Sequence, residues 1–182
     1  MKMSLRSATL ALAIGSFSAT AAEIPADATP GELINLRLGW MKDVAGYKAQ
    51  HHQPIEDLSQ EHKVLEKALG DARQLGLDSR TVQPFIQAQM DVAKAVQYRY
   101  RADWLAVPEK DWQPRPLEVV RQQIGAYSDA ILRSVSLRLK QGTPVSQREE
   151  AAFMQAIQQP HVTPQDKALL WHTLSAITLT RP

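Results

Sequence analysis

Apolar residues recur at every third or fourth position along most of the chain, and this spacing most constrains what it can fold into. The spacing matches the 3.6-residue repeat of an α-helix, and no stretch alternates apolar and polar residues convincingly as a half-buried strand would. We therefore predict an all-α protein, a helical bundle of three long helices with a fourth long helix and two shorter C-terminal helices.

Capping and turn residues predict where these helices begin and end. Asp57, with Gln60 three residues later, is read as a capping arrangement. Pro84 is a candidate kink early in helix three. The proline-rich segment 107–116 is predicted to be a loop. The predicted helices span about 30–52, about 57–76, about 78–105 and about 117–140, followed by two short helices that Ser146 and Thr163 cap.

Residues 1–22 are predicted to be a secretory signal peptide. Lys2 and Arg6 precede an apolar run, and small residues with signal-peptidase spacing follow it. Cleavage is expected after Ala21 or Ala22. The alternative, a buried N-terminal helix, fits this pattern less well. No later apolar run is long enough to span a bilayer, so we expect an exported, periplasmic protein that does not sit in a membrane.

The mature chain, residues 23–182, is predicted to be a single domain with no net charge. The full chain carries 21 basic and 19 acidic residues, and the signal contains two of the basic ones and none of the acidic ones. The balanced remainder indicates no general nucleic-acid surface. The chain has no cysteine, which excludes thiol chemistry and cysteine metal sites.

Each long helix carries a large polar residue within its apolar stripe. Helix one contributes two cations, Arg37 and Lys48, which lie about 16 Å apart along the axis at 1.5 Å per residue. On the same helix, Lys42 and Asp43 are predicted to face solvent. The remaining stripe residues are Glu61 on helix two, Gln97 on helix three and Arg121 on helix four.

Buried charges need partners, and two interpretations remain open. In the first, Arg37 or Arg121 pairs with Glu61, while Lys48 extends to water. In the second, an anionic ligand balances the excess of cations, and a dicarboxylate balances it best. A bundle interior is a common place for such a ligand site.

Other motifs are weaker. His51 and His52 precede a proline, and adjacent residues do not face one another on a helix, so a metal site is not expected. A basic and aromatic patch, residues 98–101, is interpreted as packing at the rim of the bundle. The sequence contains no glycine-rich phosphate loop, and we expect no cofactor and no metal.

Three segments, RLGWMKDVAGYK, PIEDLSQE and QMDVAKAVQYRYRADW, resemble the all-helical chorismate mutases. The resemblance is closest to their exported, periplasmic subtype, and it covers the chain from about Leu33 to its end. It implies an isomerase that converts chorismate to prephenate by a concerted intramolecular rearrangement, without nucleophile, metal or cofactor. It also implies a homodimer in which each site lies within one chain.

The resemblance implies a role for each stripe residue. Arg37 would bind a substrate carboxylate, and Lys48 would contact the ether oxygen and a carboxylate. Gln97 would hydrogen-bond the ether oxygen. Arg121 would replace an arginine that a partner chain donates in cytosolic members. Two further positions near the substrate hydroxyl are Asp57 and Glu61.

The sequence departs from the family pattern at two positions. Gln60, a substrate-binding position, stands where many members have arginine, so that carboxylate contact should be weaker or absent. Ala93 stands where others have serine or threonine, so that a minor polar contact should be missing.

Three rival functions remain open at this point. An isochorismate-pyruvate lyase would use the same scaffold on a closely similar dianion. A non-catalytic periplasmic bundle would bind a dicarboxylate without turnover. A purely structural bundle would pair its charges internally.

Overall fold

The computed structural model describes residues 24–25 and 27–181, and the predicted signal segment 1–22 lies outside the described residues. The described residues form helices and no strand, with one isolated bridge between Leu77 and Leu179. The predicted all-α class is confirmed. The helices are α1 (Pro30–Leu38), α2 (Met41–Gln50), α3 (Leu58–Gln74), α4 (Ser79–Ala106), α5 (Leu117–Lys140), α6 (Glu150–Ala156) and α7 (Pro164–Ser175).

The predicted first helix is interrupted, so its prediction as one continuous helix is wrong. The interruption falls at Gly39 and Trp40, which keep right-handed helical backbone angles. The Trp40 amide bonds weakly to the Arg37 carbonyl, three residues back, at 3.4 Å. Gly39 packs against the C-terminal part of the chain, where a β-carbon would lie 3.3 Å from the Gln159 amide nitrogen. The tightened turn divides the stretch into α1 and α2.

Local capping explains most of the observed helix starts. Thr29 and Thr163 form capping boxes with the acidic residues three positions later, and Asp78 accepts the Arg80 amide. The box of Ser146 and Glu149 is also present, but it opens a short 3₁₀ turn, Gln147–Glu149, directly before α6.

Helix α4 is the central element of the fold. It packs against α2, α3 and α7, while α5 packs mainly against α1. Pro84 lies in its second turn and does not interrupt it.

No described helix is long and apolar enough to cross a membrane. The largest fully buried side chains include Phe85, Ile34, Met41, Leu77, Ile131 and Leu132.

The segment 107–116 covers the outer face of α2, where solvent was predicted. Asp43 is only 8% exposed, and its Oδ1 accepts the Arg115 backbone N–H at 2.8 Å. The prediction that Asp43 faces water is therefore wrong. Lys42 is half-buried in an ion pair with Glu109, at 2.7 Å between Nζ and Oε1.

Candidate active site

A cavity of about 200 Å³ lies between α1, α2, α3, α4 and α5. Helical periodicity brings polar residues from each of these elements onto its walls, because residues three, four, seven and eight apart share one helix face. All of the predicted site residues line this cavity: Arg37, Lys48, Asp57, Gln60, Glu61, Gln97 and Arg121.

Arg37 lies deep in the cavity wall and is 5% exposed. Its Nε donates to Ser128 Oγ at 3.1 Å, and Nη1 donates to the Gln89 carbonyl at 3.4 Å. Burial lowers the pKa of Arg37 to about 10. Among residues 24–25 and 27–181, no carboxylate lies within ion-pair distance of its guanidinium. The internal pairing considered for Arg37 is therefore absent from this part of the chain.

Lys48 is buried and does not extend to water. It is 6% exposed, and Nζ donates to the Ile55 carbonyl at 2.6 Å. Burial lowers the pKa of Lys48, the Asp57 carboxylate partly offsets this effect, and Arg121 and Arg101 lower the pKa further. The ammonium group is thus shielded from bulk water and lies among both carboxylates and guanidinium groups.

The start of α3 places two carboxylates at the cavity. Asp57 Oδ1 accepts the Gln60 backbone N–H at 3.0 Å, as the capping interpretation predicted. In return, the Asp57 backbone N–H donates to Glu61 Oε1 at 3.2 Å, and not to the Gln60 side chain. That half of the capping prediction is wrong, because Glu61 lies one residue further along the first turn and reaches back instead.

Glu61 pairs with a lysine that sequence reasoning missed. Lys94 Nζ on α4 donates to Glu61 Oε2 at 2.9 Å, so Glu61 is not the partner of Arg37 or Arg121. A signal for Lys94 was present, since it precedes Gln97 by three residues and so shares its helix face. Arg121 Nη2 instead lies 3.4 Å from Asp57 Oδ2, and both side chains are partly exposed at the cavity mouth.

Two buried amides on α4 face the cavity. Gln97 Nε2 donates to the Ala93 carbonyl at 3.1 Å and lies 3.7 Å from Met41 Sδ. Gln89, a lining residue that sequence reasoning also missed, is eight positions earlier on the same face. Within the described residues, the Oε1 atoms of both amides lack a hydrogen-bond partner. Both oxygens are hydrogen-bond acceptors, so only a ligand group that donates a hydrogen bond could satisfy them.

The weaker sequence candidates lie outside this cavity. The His51 ring stacks on Tyr47, with 3.9 Å between the ring centroids. Arg99 binds Asp166, and Arg101 donates to the Gln53 carbonyl at 2.7 Å. The patch 98–101 is thus engaged in contacts within the chain, in agreement with its interpretation as rim packing.

The geometry suits a small ligand with two negative charges. The cavity lining includes five cations and four carboxylates, and so carries a small net positive charge: Arg37, Lys48, Lys67, Lys94 and Arg121 against Asp57, Glu61, Asp71 and Asp129. Of the cations, Arg37 and Lys48 are too buried for water to stabilise them well. A bound dianion would offset that charge.

Comparison with known proteins identifies similar chains. Residues 26–98 match the family model described as chorismate mutase type II. The chain is 46% identical over 147 residues to the secreted chorismate mutase of Yersinia pestis, covering 81% of this chain and 79% of that protein. It is 44% identical over 144 residues to the monofunctional chorismate mutase of Enterobacter agglomerans, covering 79% of each.

Solved structures agree with these relatives. The crystal structure of the secreted chorismate mutase from Yersinia pestis matches with a TM-score of 0.78 and 44% identity, covering 83% of this chain and 97% of that one. The chorismate mutase structure from Burkholderia thailandensis matches with a TM-score of 0.62 at 19% identity, covering 81% and 97%. This second likeness concerns the fold alone.

Proposed function

The chain belongs to the type II chorismate mutase family, and we propose that the cavity between its long helices is where chorismate is bound and rearranged. The chain is a chorismate mutase, an isomerase that converts chorismate to prephenate. What remains to be assigned is the part that each side chain plays in this reaction.

One observation carries the assignment of the site. Arg37 and Lys48 are both buried in the wall of one cavity, and in the described chain Arg37 has no carboxylate beside it. An unpaired buried charge destabilises the folded protein, so we propose that this one is retained because it binds the substrate. A dianionic substrate supplies the missing negative charge.

Arg37 and Arg121 are proposed to bind the two carboxylates. The contacts of Arg37 with Ser128 and Gln89 fix its guanidinium plane, so that its remaining N–H groups can face a carboxylate. Arg121 is held by a longer, partly exposed pair with Asp57, which costs little to break. Together they would hold the substrate in its compact reactive shape.

Lys48 and Gln97 are proposed to stabilise the breaking carbon–oxygen bond. Lys48 uses one N–H on the Ile55 carbonyl and keeps two for the ether oxygen and a carboxylate. Gln97 uses one N–H on the Ala93 carbonyl, and its other N–H makes only a weak contact with Met41 Sδ at 3.7 Å, which an ether oxygen could replace. Donors fixed in a dry site stabilise the charge that develops on the ether oxygen in the transition state.

Glu61 and Asp57 are proposed to lie near the substrate hydroxyl, with Glu61 accepting its hydrogen bond. Gln60 contributes at most a neutral contact where many relatives have arginine. Ala93 has no polar side chain, and its contribution is the carbonyl that holds Gln97.

The test follows the loss of chorismate absorbance with the mature protein. Lys48→Ala should reduce kcat/KM by about a hundred- to a thousandfold, because it removes a charged donor from the transition state. Lys63→Ala, an exposed lysine of α3, is the matched control and should match the wild type. A folded Lys48→Ala protein with near-normal turnover would rule out this assignment, and pyruvate release from isochorismate would indicate the lyase alternative.

We further propose export to the periplasm through residues 1–22, leaving residues 23–182 as one mature domain. The name of the secreted Yersinia pestis relative supports export. A homodimer with each site inside one chain is also proposed, as the family resemblance implies; the chain's own Arg121 lines the cavity together with Arg37 and Lys48. Cell fractionation tests the first proposal. Sedimentation of the mature protein tests the second.

A further inference from the structure

Lys94 is a charged residue of the cavity wall to which no role has yet been given. Its Nζ lies 2.9 Å from Glu61 Oε2 and 3.2 Å from Asp91 Oδ1. The Lys94 and Glu61 side chains are only 22% and 19% exposed, whereas Asp91 is 47% exposed. The inner pair is therefore the better shielded of the two, and the stronger.

Two elements together hold the Glu61 carboxylate. From α3, the Asp57 N–H donates to Oε1 at 3.2 Å, and from α4, Lys94 donates to Oε2 at 2.9 Å. A carboxylate anchored at both oxygens cannot rotate freely, and each oxygen keeps a lone pair for another donor. Glu61 thus presents a fixed acceptor to the cavity.

Lys94 also sets the charge balance of the site. Without it, Glu61 would lie near Lys48 and Arg121 with no other cation to bind, and would compete with the substrate for them. The hydrogen bond to Glu61 raises the pKa of Lys94, so the lysine stays charged. The cavity lining has five cations and four carboxylates, so without Lys94 the two would be equal in number. This lysine therefore leaves the excess positive charge that an anionic substrate can balance.

We propose that Lys94 is a positioning residue that holds Glu61 toward the substrate hydroxyl and away from Lys48 and Arg121. This inference rests on the role proposed above for Glu61. It also explains how a site with Gln60 in place of an arginine keeps enough positive charge.

The first experiment measures kcat and KM for chorismate in Lys94→Met. Loss of a charge-assisted hydrogen bond should reduce kcat/KM about tenfold. The hydroxyl takes no part in bond breaking, so the loss should appear mainly in KM, with kcat changed less than about threefold. Lys94→Arg should recover most of the activity, and Lys63→Met, the matched control, should leave it unchanged. Lys94→Gln replaces Lys94→Met if melting shows that the latter does not fold.

The second experiment combines Lys94→Met with Glu61→Gln. If Lys94 acts through Glu61, the double variant should lie within about threefold of Glu61→Gln alone, because the shared interaction is already lost. Independent losses that multiply to about a hundredfold would overturn the role of Lys94 while leaving that of Glu61 intact. An unchanged kcat/KM in Glu61→Gln alone would overturn the assignment of Glu61, and that of Lys94 with it.

Discussion

Arg37 illustrates, at the scale of one residue, how a binding site reduces the stability of its own fold. Burial lowers its pKa from the ordinary arginine value to about 10, a change that corresponds to about 3 kcal/mol of unfavourable interaction. Hydrogen bonds to Ser128 and Gln89 offset part of this cost. A bound carboxylate can offset the rest of this unfavourable free energy.

Replacing Arg37 with methionine should abolish activity and stabilise the protein. Methionine fills a similar volume without a charge, so we expect the free energy of unfolding to rise by about 1 kcal/mol. Thermal melting of the two proteins measures this change. A dicarboxylate inhibitor should raise the melting temperature of the wild type but not of Arg37→Met. A lower melting temperature in Arg37→Met would indicate that Arg37 is a structural residue.

Gln97 and Lys48 together set the expected pH dependence. An amide donates a hydrogen bond at any pH, so wild-type activity should persist from about pH 6 through neutral pH. It should then fall as the pH rises through the pKa of Lys48, which burial holds below the ordinary lysine value. In Gln97→Glu the carboxyl group donates only when protonated, so activity should instead be confined to acidic pH. The measurement is kcat/KM from about pH 4 to about pH 10. A wild type that loses turnover steeply between about pH 6 and about pH 8 would contradict the assignment.

At the scale of an element, α2 is buried on two sides. One side faces the cavity, and the segment 107–116 covers the other. Trp112 lies against Gly46, where a β-carbon would come within 2.6 Å of the indole ring. The ring also stacks near Trp104 and lies beneath the Lys42 ammonium. The glycine is therefore needed for close approach to the ring.

Gly46→Ala and Gly70→Ala should change stability in opposite directions. Alanine at position 46 would displace the Trp112 ring, and we expect a net loss of about 1 kcal/mol despite the better helix propensity. Alanine at position 70 of α3 meets nothing within 4 Å and should add about 0.5–1 kcal/mol. Chemical denaturation of both variants measures the difference. Equal changes in the free energy of unfolding would show that the Trp112 ring can move aside without loss of stability.

At the scale of the whole molecule, one ion pair fastens the C-terminal helix to the centre of the bundle. Arg99 on α4 binds Asp166 on α7, and it also donates to the His161 carbonyl just before that helix. Burial alone would raise the pKa of Asp166, but hydrogen bonds from Arg99 and Thr163 outweigh it and lower the pKa overall. The pair links α7 to the helix that carries Gln97 and Lys94.

Asp166→Asn should weaken the fold at neutral pH by about 1–2 kcal/mol, since Arg99 would lose its charged partner. Because the folded-state pKa is lowered, this stability is present above the ordinary aspartate pKa, near pH 4, and is lost as the pH falls through the lowered value. The difference in stability between the wild type and Asp166→Asn should therefore become smaller at acidic pH. Melting temperatures from about pH 2 to about pH 7 test this, with exposed Asp111→Asn as the control. A difference in melting temperature that does not change with pH would indicate that the charge of Asp166 contributes little to stability.

The sequence by itself determined the helices and the residues that line their inner faces. Both depend on interactions within a few residues: the 3.6-residue repeat puts Arg37, Glu61, Gln97 and Arg121 on apolar faces, and caps such as Thr163 start helices locally. Those patterns, with the family resemblance, were enough to predict the bundle and seven of the residues that share its cavity, but not Lys94 or Gln89. Their roles in the reaction stay predictions.

Only the tertiary structure decided which groups meet. Residues far apart in the chain meet in three places: Glu61 pairs with Lys94, Asp43 is buried under the segment 107–116, and Gly39 packs against Gln159. Helix periodicity tells which face a residue occupies, but not which neighbour packs against that face or how far a side chain must reach. Those contacts depend on the packing of all the helices at once, and so they could not be derived from local spacing.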